Sequence, residues 1–130
     1  MRKSTAIAAA AAALFALLAG NAPALEKRTY DASAFAAAQK AGKSILVDVQ
    51  AVWCHICWSQ QAVLSDLESD PNFKTFIVFS VDYDGDKEGL RRFNAQKQST
   101  LIVFKGGQEL GRSVGDTNPA SIKALLSRVL

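Results

Sequence analysis

Cys54 and Cys57 are the only cysteines of the 130-residue chain, set two residues apart in AVWCHICWSQ. Trp53 precedes the pair, and His55 and Ile56 lie between its members. Such a pair can be a structural staple, a metal clip or a reacting dithiol. As a staple it is weak, because so small a loop restrains the unfolded chain little. A structural zinc site needs about four ligands. The chain offers two Cys and a single His, so no metal is assigned, although a site shared across a dimer stays open. As a reacting pair, the residues need a thiolate and a resolving thiol in the right order. At the start of a helix, unpaired N–H groups and a partial positive charge stabilise a thiolate at Cys54. That thiolate attacks disulfides, and Cys57, one turn further on, is placed to resolve the mixed disulfide. A protonated His55 would lower the Cys54 pKa further; its alternative is an exposed spacer.

The elements around the pair fit this reading. SILVDVQ at residues 44–50 is a β-branched apolar run of the buried-strand kind. FIVFSVDY at 76–83 and TLIVFK at 100–105 are two more. Gly106-Gly107 is a hairpin turn signal, making QELGRSVG the antiparallel partner of the third run. Ser33 is expected to cap a helix through AFAAAQKAG that Gly42 ends. From Cys54 to about Leu67, Ile56, Val63, Leu64 and Leu67 recur at helical spacing, with Pro71 beyond the end. DKEGLRRFNAQ at 86–96 reads as a short helix. A last helix closes the chain, with Asn118 as cap and Pro119 at its first position. The order βαβαββα, preceded by an opening strand near residues 27–30, describes an α/β protein with a mixed sheet flanked by helices.

The chain length suits one domain with a modest core. Residues 1–24 read as a secretory signal peptide. Arg2 and Lys3 lead an apolar run over residues 6–19, and Ala22-Pro23-Ala24 supplies the cleavage pattern. The run is shorter than the roughly 20 residues of a membrane span. Residues 25–130 are then the mature domain. Loss of Arg2 and Lys3 takes the net charge from +3 to +1. With acids and bases interspersed, no patch suits nucleic acid. Export places the cysteines in an oxidising compartment, the periplasm being the expected one.

SILVDVQAVWCHIC resembles the thioredoxin superfamily signature, a strand carrying Asp followed by Ala-x-Trp-Cys-x-x-Cys. STLIVFKGGQELGRSVG is similar to that superfamily's Thr-Leu-x-x-Phe-Lys-x-Gly hairpin. VLSDLESDPNF resembles the periplasmic C-terminal domain of the transmembrane electron transporter DsbD and its small secreted relatives. The resemblance implies a thioredoxin fold, with Cys54 as nucleophile, Cys57 as resolving cysteine and Asp48 as the buried acid that moves a proton near it. The residues agree, since an acid inside an apolar strand should have a raised pKa; the alternative is a strand-end Asp that reaches solvent. Trp53 packs beside the pair in the family, and as a lone aromatic it suits a core equally well.

The sequence departs from the pattern in several places. Ser99 stands where the family has a cis-proline before Thr100 and Leu101. A cis bond before a non-proline costs about 3 kcal/mol, so a trans Gln98–Ser99 bond is expected. Trp53, His55, Ile56, Ser99 and Thr100 are the expected groove and tuning residues. Ser80 replaces a Lys that thioredoxins often carry near the buried acid. Ala62 replaces a helix-kinking proline, so a straighter helix is expected. DYDGDKEG resembles a calcium loop only superficially, because Lys87 and Phe93 stand where an EF-hand wants Gly and Glu. A solvated strand end capping the next helix accounts for it better. Trp58 and Phe93 are candidates for a partner groove, or else ordinary core or surface aromatics.

Taken together, these features lead to the expectation of a periplasmic thiol–disulfide oxidoreductase, a monomer acting as a reductant of protein disulfides. The dithiol carries the electrons, so no bound cofactor is needed. A DsbD- or CcdA-type membrane electron transporter is the expected partner. The alternatives are a disulfide oxidase or isomerase, a metal- or iron–sulfur-binding thioredoxin-like protein, and an adaptor without chemistry.

Overall fold

The computed structural model describes residues 25–130. The expected signal peptide lies outside the described residues. Five strands form one mixed sheet: β1 (Glu26–Thr29), β2 (Ser44–Gln50), β3 (Ile77–Asp82), β4 (Thr100–Lys105) and β5 (Gln108–Val114). Their order is β1-β3-β2-β4-β5, with β1, β3 and β2 parallel and β4 and β5 antiparallel. Four helices flank it: α1 (Ala32–Lys40), α2 (His55–Leu67), α3 (Lys87–Arg92) and α4 (Pro119–Ser127). This is the mixed sheet with flanking helices expected from the apolar runs.

Central β2 is covered on both faces, which is why its interior reads as an apolar run interrupted only by Asp48. Leu46 packs with Val78, Leu101, Val63, Leu64, Ile122 and Leu126 beneath α2 and α4. Ile45, Val47 and Val49 face the other way, against α1 and α3, where Phe35 is the hub. Its ring meets those of Tyr30, Phe79, Phe93 and Phe104 edge-on, with centroids 5.0–5.9 Å apart. Alternation along β2 puts Asp48 on the face of Leu46, under α2.

Several helix ends differ from expectation. Asp31, not Ser33, caps α1: its carboxylate accepts the N–H groups of Ser33 and Ala34, both at 3.3 Å. A carboxylate one residue before the helix also suits the positive end of the dipole. Gly42 ends α1 as expected, at φ +69°, where its N–H bonds to Gln39 and that of Lys43 to Ala38. The helix expected over 86–96 stops at Arg92, because Asn94 adopts φ +49° and Ala95 N–H closes back on the Leu90 carbonyl. Phe93 is thereby turned into the core, so it lines no partner groove. Asp86 caps α3 by accepting the Gly89 N–H at 2.8 Å, the role expected for the acidic strand end. Gly106-Gly107 makes the β4–β5 turn, and Asn118 and Pro119 start α4 as read from the sequence.

Candidate active site

The chain leaves β2 at Gln50, turns through Ala51–Trp53, and enters α2 at His55. Cys54 is the N-cap of that helix; its sulfur accepts the Cys57 N–H at 3.1 Å. A cap position normally calls for a side-chain oxygen; a sulfur there is held against the positive end of the helix. The two cysteines form a disulfide, with Cα atoms 5.2 Å apart. Both are nearly enclosed, Cys54 at 3% exposure and Cys57 at 1%. Cys57 Sγ lies 4.0 Å from the carbonyl oxygen of Val49, the residue after Asp48.

Asp48 does not reach solvent; it is 1% exposed. Burial pushes its pKa up to about 6, while a hydrogen bond from Gln61 and the charge of Lys27 pull the other way. Gln61 Nε2 donates to Oδ2, and Oδ1 is buried without a partner. Lys27 comes from β1 and pairs at 2.5 Å with Glu68 near the end of α2. Ser80 is the β3 neighbour of Asp48 in the sheet and accepts a hydrogen bond from Gln50. The absent Lys at position 80 is therefore offset in part by a cation one strand further out. A cleft of about 400 Å³ beside the pair is lined by Thr29, Gln50, Val52, Trp58, Ser80 and Asp82.

The residues between and before the cysteines point outward. Trp53 is half-exposed rather than core, and its indole N–H donates to Asp84 at 2.8 Å. The His55 ring lies edge-on to Trp58, 4.4 Å between centroids. With Ile56, these side chains surround the α2 N-terminus with exposed apolar surface, and Val52 is 86% exposed. α2 runs for 13 residues, with Ala62 inside it.

Ser99 and Thr100 are buried on the other side of β2. No described residue follows a cis peptide bond, so Gln98–Ser99 is trans as expected. The chain makes its turn there by another device: Ser99 adopts φ +58°, a left-handed conformation that costs a non-glycine residue free energy. Gln60, fully buried one turn after Cys57, braces that turn. Its amide donates to Ser99 O at 3.1 Å and to Asp116 O at 3.0 Å. Gly115 N–H adds a bond to Ser99 O at 2.9 Å. Thr100 Oγ1 donates to Lys97 O at 2.7 Å, which fixes the preceding loop.

Gln60, Gln61 and Lys27 were not singled out in the sequence. Gln60 carried a readable signal, since Cys57, Gln60 and Leu64 recur at helical spacing on the buried face of α2. Among the described residues, no group of three or more His, Cys, Asp or Glu side chains is placed to hold a metal ion.

A family model for thioredoxin matches residues 26–128. Over 100 residues the chain is 35% identical to the bifunctional thioredoxin reductase/thioredoxin of Mycobacterium leprae, covering 77% of this chain and 22% of that larger protein. It is 33% identical over 100 residues to thioredoxin of Mycobacterium bovis, covering 77% of this chain and 85% of that one. Among solved structures, Trxlp from Edwardsiella tarda superposes with a TM-score of 0.75 at 39% identity, over 78% of this chain and 98% of that one. Thioredoxin from Malassezia sympodialis, at 20% identity and a TM-score of 0.69, shares the fold over 81% of this chain and 92% of its own.

Proposed function

The chain belongs to the thioredoxin family of thiol–disulfide oxidoreductases, and we propose that it works as a reductant of protein disulfides in the periplasm. The observation that carries the dithiol chemistry is the cysteine pair at the head of α2 with the buried carboxyl of Asp48 in the strand beneath it. With a pKa of about 6, Asp48 is mostly ionised at neutral pH and can take the Cys57 proton when the dithiol is oxidised, and return it in the reverse step. The reductive direction is supported by the family's likeness to thioredoxins.

The steps balance as follows. The Cys54 thiolate attacks one sulfur of the substrate disulfide, whose S–S bond breaks, and the leaving sulfur collects a proton from water. Cys57 passes its proton to Asp48 and attacks Cys54 Sγ. The mixed disulfide breaks, the Cys54–Cys57 bond forms, and the second substrate sulfur leaves as a thiolate. Two electrons have moved from the dithiol to the substrate. The exposed apolar surface of Val52, Trp53, Ile56 and Trp58 suits a loosely folded substrate segment. The periplasmic setting rests on the secretory pattern of residues 1–24 and on the likeness of VLSDLESDPNF to the DsbD C-terminal domain. A membrane electron transporter of the DsbD or CcdA type then restores the dithiol.

Two measurements test this reading. Cys57→Ser should accumulate mixed disulfides through Cys54 with periplasmic proteins and with a membrane transporter; free monomer alone would refute the relay. Equilibration of the oxidised and reduced forms against glutathione should place the couple near the roughly −270 mV of thioredoxin. A value near the roughly −120 mV of DsbA would make the protein an oxidant instead.

A further inference from the structure

The two oxygens of Asp48 have unequal surroundings. Oδ2 receives the Gln61 amide, and Oδ1 is buried with nothing to bond. Gln61 lies on α2 four residues after Cys57, so the helix that carries the resolving sulfur also carries the donor that holds the acid. The other groups facing Asp48 are less adaptable. Lys27 from β1 is a fixed positive charge partly committed to Glu68 of α2. Ser80 from β3 and Leu101 from β4, its neighbours in the sheet, carry no charge.

A primary amide has a donor end and an acceptor end. Its N–H suits a carboxylate; its carbonyl suits the O–H of a carboxylic acid. The terminal torsion of a Gln side chain is broad and roughly two-fold, so a half-turn exchanges the two ends without moving the helix. A Lys at this place would serve only the ionised acid, and an alkyl side chain would serve neither form. We propose that Gln61 is a positioning residue for proton transfer at the cysteine pair, its amide serving Asp48 in both protonation states by reversing the end it presents. This rests on the reading of Asp48 as the group that takes the Cys57 proton.

The test follows Asp48 and Gln61 together by NMR in the oxidised protein, using the Asp48 carboxyl carbon and the Gln61 side-chain amide. In the wild type, the Gln61 N–H resonances should shift with the same midpoint as Asp48, because the donated hydrogen bond is lost on protonation. Gln61→Leu should raise the Asp48 midpoint by about one pH unit, because the bond the amide donates to the charged carboxylate is worth more than the bond it accepts from the neutral acid, and the midpoint reads the difference. Gln61→Glu should give two coupled midpoints, the upper one above the wild-type value. Gln61 resonances that stay still through the Asp48 midpoint would overturn the proposal, as would an unchanged midpoint in a natively folded Gln61→Leu protein. Asp48→Asn separates the two readings. If it leaves the pH profile of disulfide reduction unchanged, the proton role of Asp48 fails, whatever the Gln61 variants show. If it alters the profile while the Gln61 variants leave the midpoint in place, only the inference about Gln61 falls.

Discussion

Replacing Asp48 with Asn should flatten the dependence of stability on pH, by an amount that follows from the burial of the carboxyl. Desolvation lifts its pKa from an ordinary 3.8 to about 6 in the folded protein. The native state therefore binds this proton more tightly than the unfolded chain does. Below about pH 3.8 the carboxyl costs the fold little. The penalty then grows as pH rises through this window and levels off above about pH 6. At 1.36 kcal/mol per pH unit, the full penalty is about 3 kcal/mol. Asn stays neutral throughout, and its carbonyl can still accept from Gln61. Its NH₂ would sit where Oδ1 now lacks a partner, a cost of about 1–3 kcal/mol that is the same at every pH. Urea unfolding of both oxidised proteins at pH 4 and pH 7.5 cancels that constant. Between those pH values the stability difference should move in favour of Asp48→Asn by about 2.5 kcal/mol. Two proteins whose stabilities run parallel to within about 0.5 kcal/mol would refute the reasoning, because desolvation of Asp48 would then be absent.

Gln60→Leu should cost about 2 kcal/mol, since Asp116 O and Ser99 O each lose the bond that Gln60 now donates. Chemical denaturation would measure the loss, and faster amide exchange at Gly115 and neighbouring loop residues would place it. Phe35→Ala should cost about 3–5 kcal/mol by emptying the hub of the aromatic cluster. Thermal unfolding would show that loss, while the alkylation rate of Cys54 in the reduced, folded protein should stay at the wild-type value.

The parts of this fold legible in the sequence are those whose signals are local. The bounds of β2 and β4 are legible because each is a short apolar run set off from its neighbours by polar or glycine-containing stretches, and Gly106-Gly107 marks the hairpin that gives β4 its partner β5. Asn118-Pro119 likewise marks the start of α4. The Cys54–Cys57 pair was legible because its chemistry depends on spacing and on one helix end. What escaped depends on meetings across the chain. Asp31 took the cap of α1 from Ser33, a choice between two good capping residues that only the path from β1 decides. Asn94 ended α3 early because a left-handed turn there drives Phe93 into the core. Gln61 and Lys27 look like ordinary surface residues until α2 is laid over β2 and β1 is paired beyond β3, which brings both to bear on Asp48.

The strand order has a consequence for solubility. Every open sheet has two outer strands whose unpaired backbone groups can recruit a stranger's strand. Here those positions fall to β1 and β5. β1 is only four residues long and carries Glu26, Lys27 and Arg28 in succession, all exposed. β5 carries Glu109 and Arg112, and its pairing with β4 is irregular between Val103 and Phe104. Short length, dense charge and a broken register are the devices by which sheets resist accretion. An extended polypeptide that settles on the apolar rim around the cysteines therefore finds little purchase at either margin of the sheet, so contact with an unfolded chain need not seed aggregation.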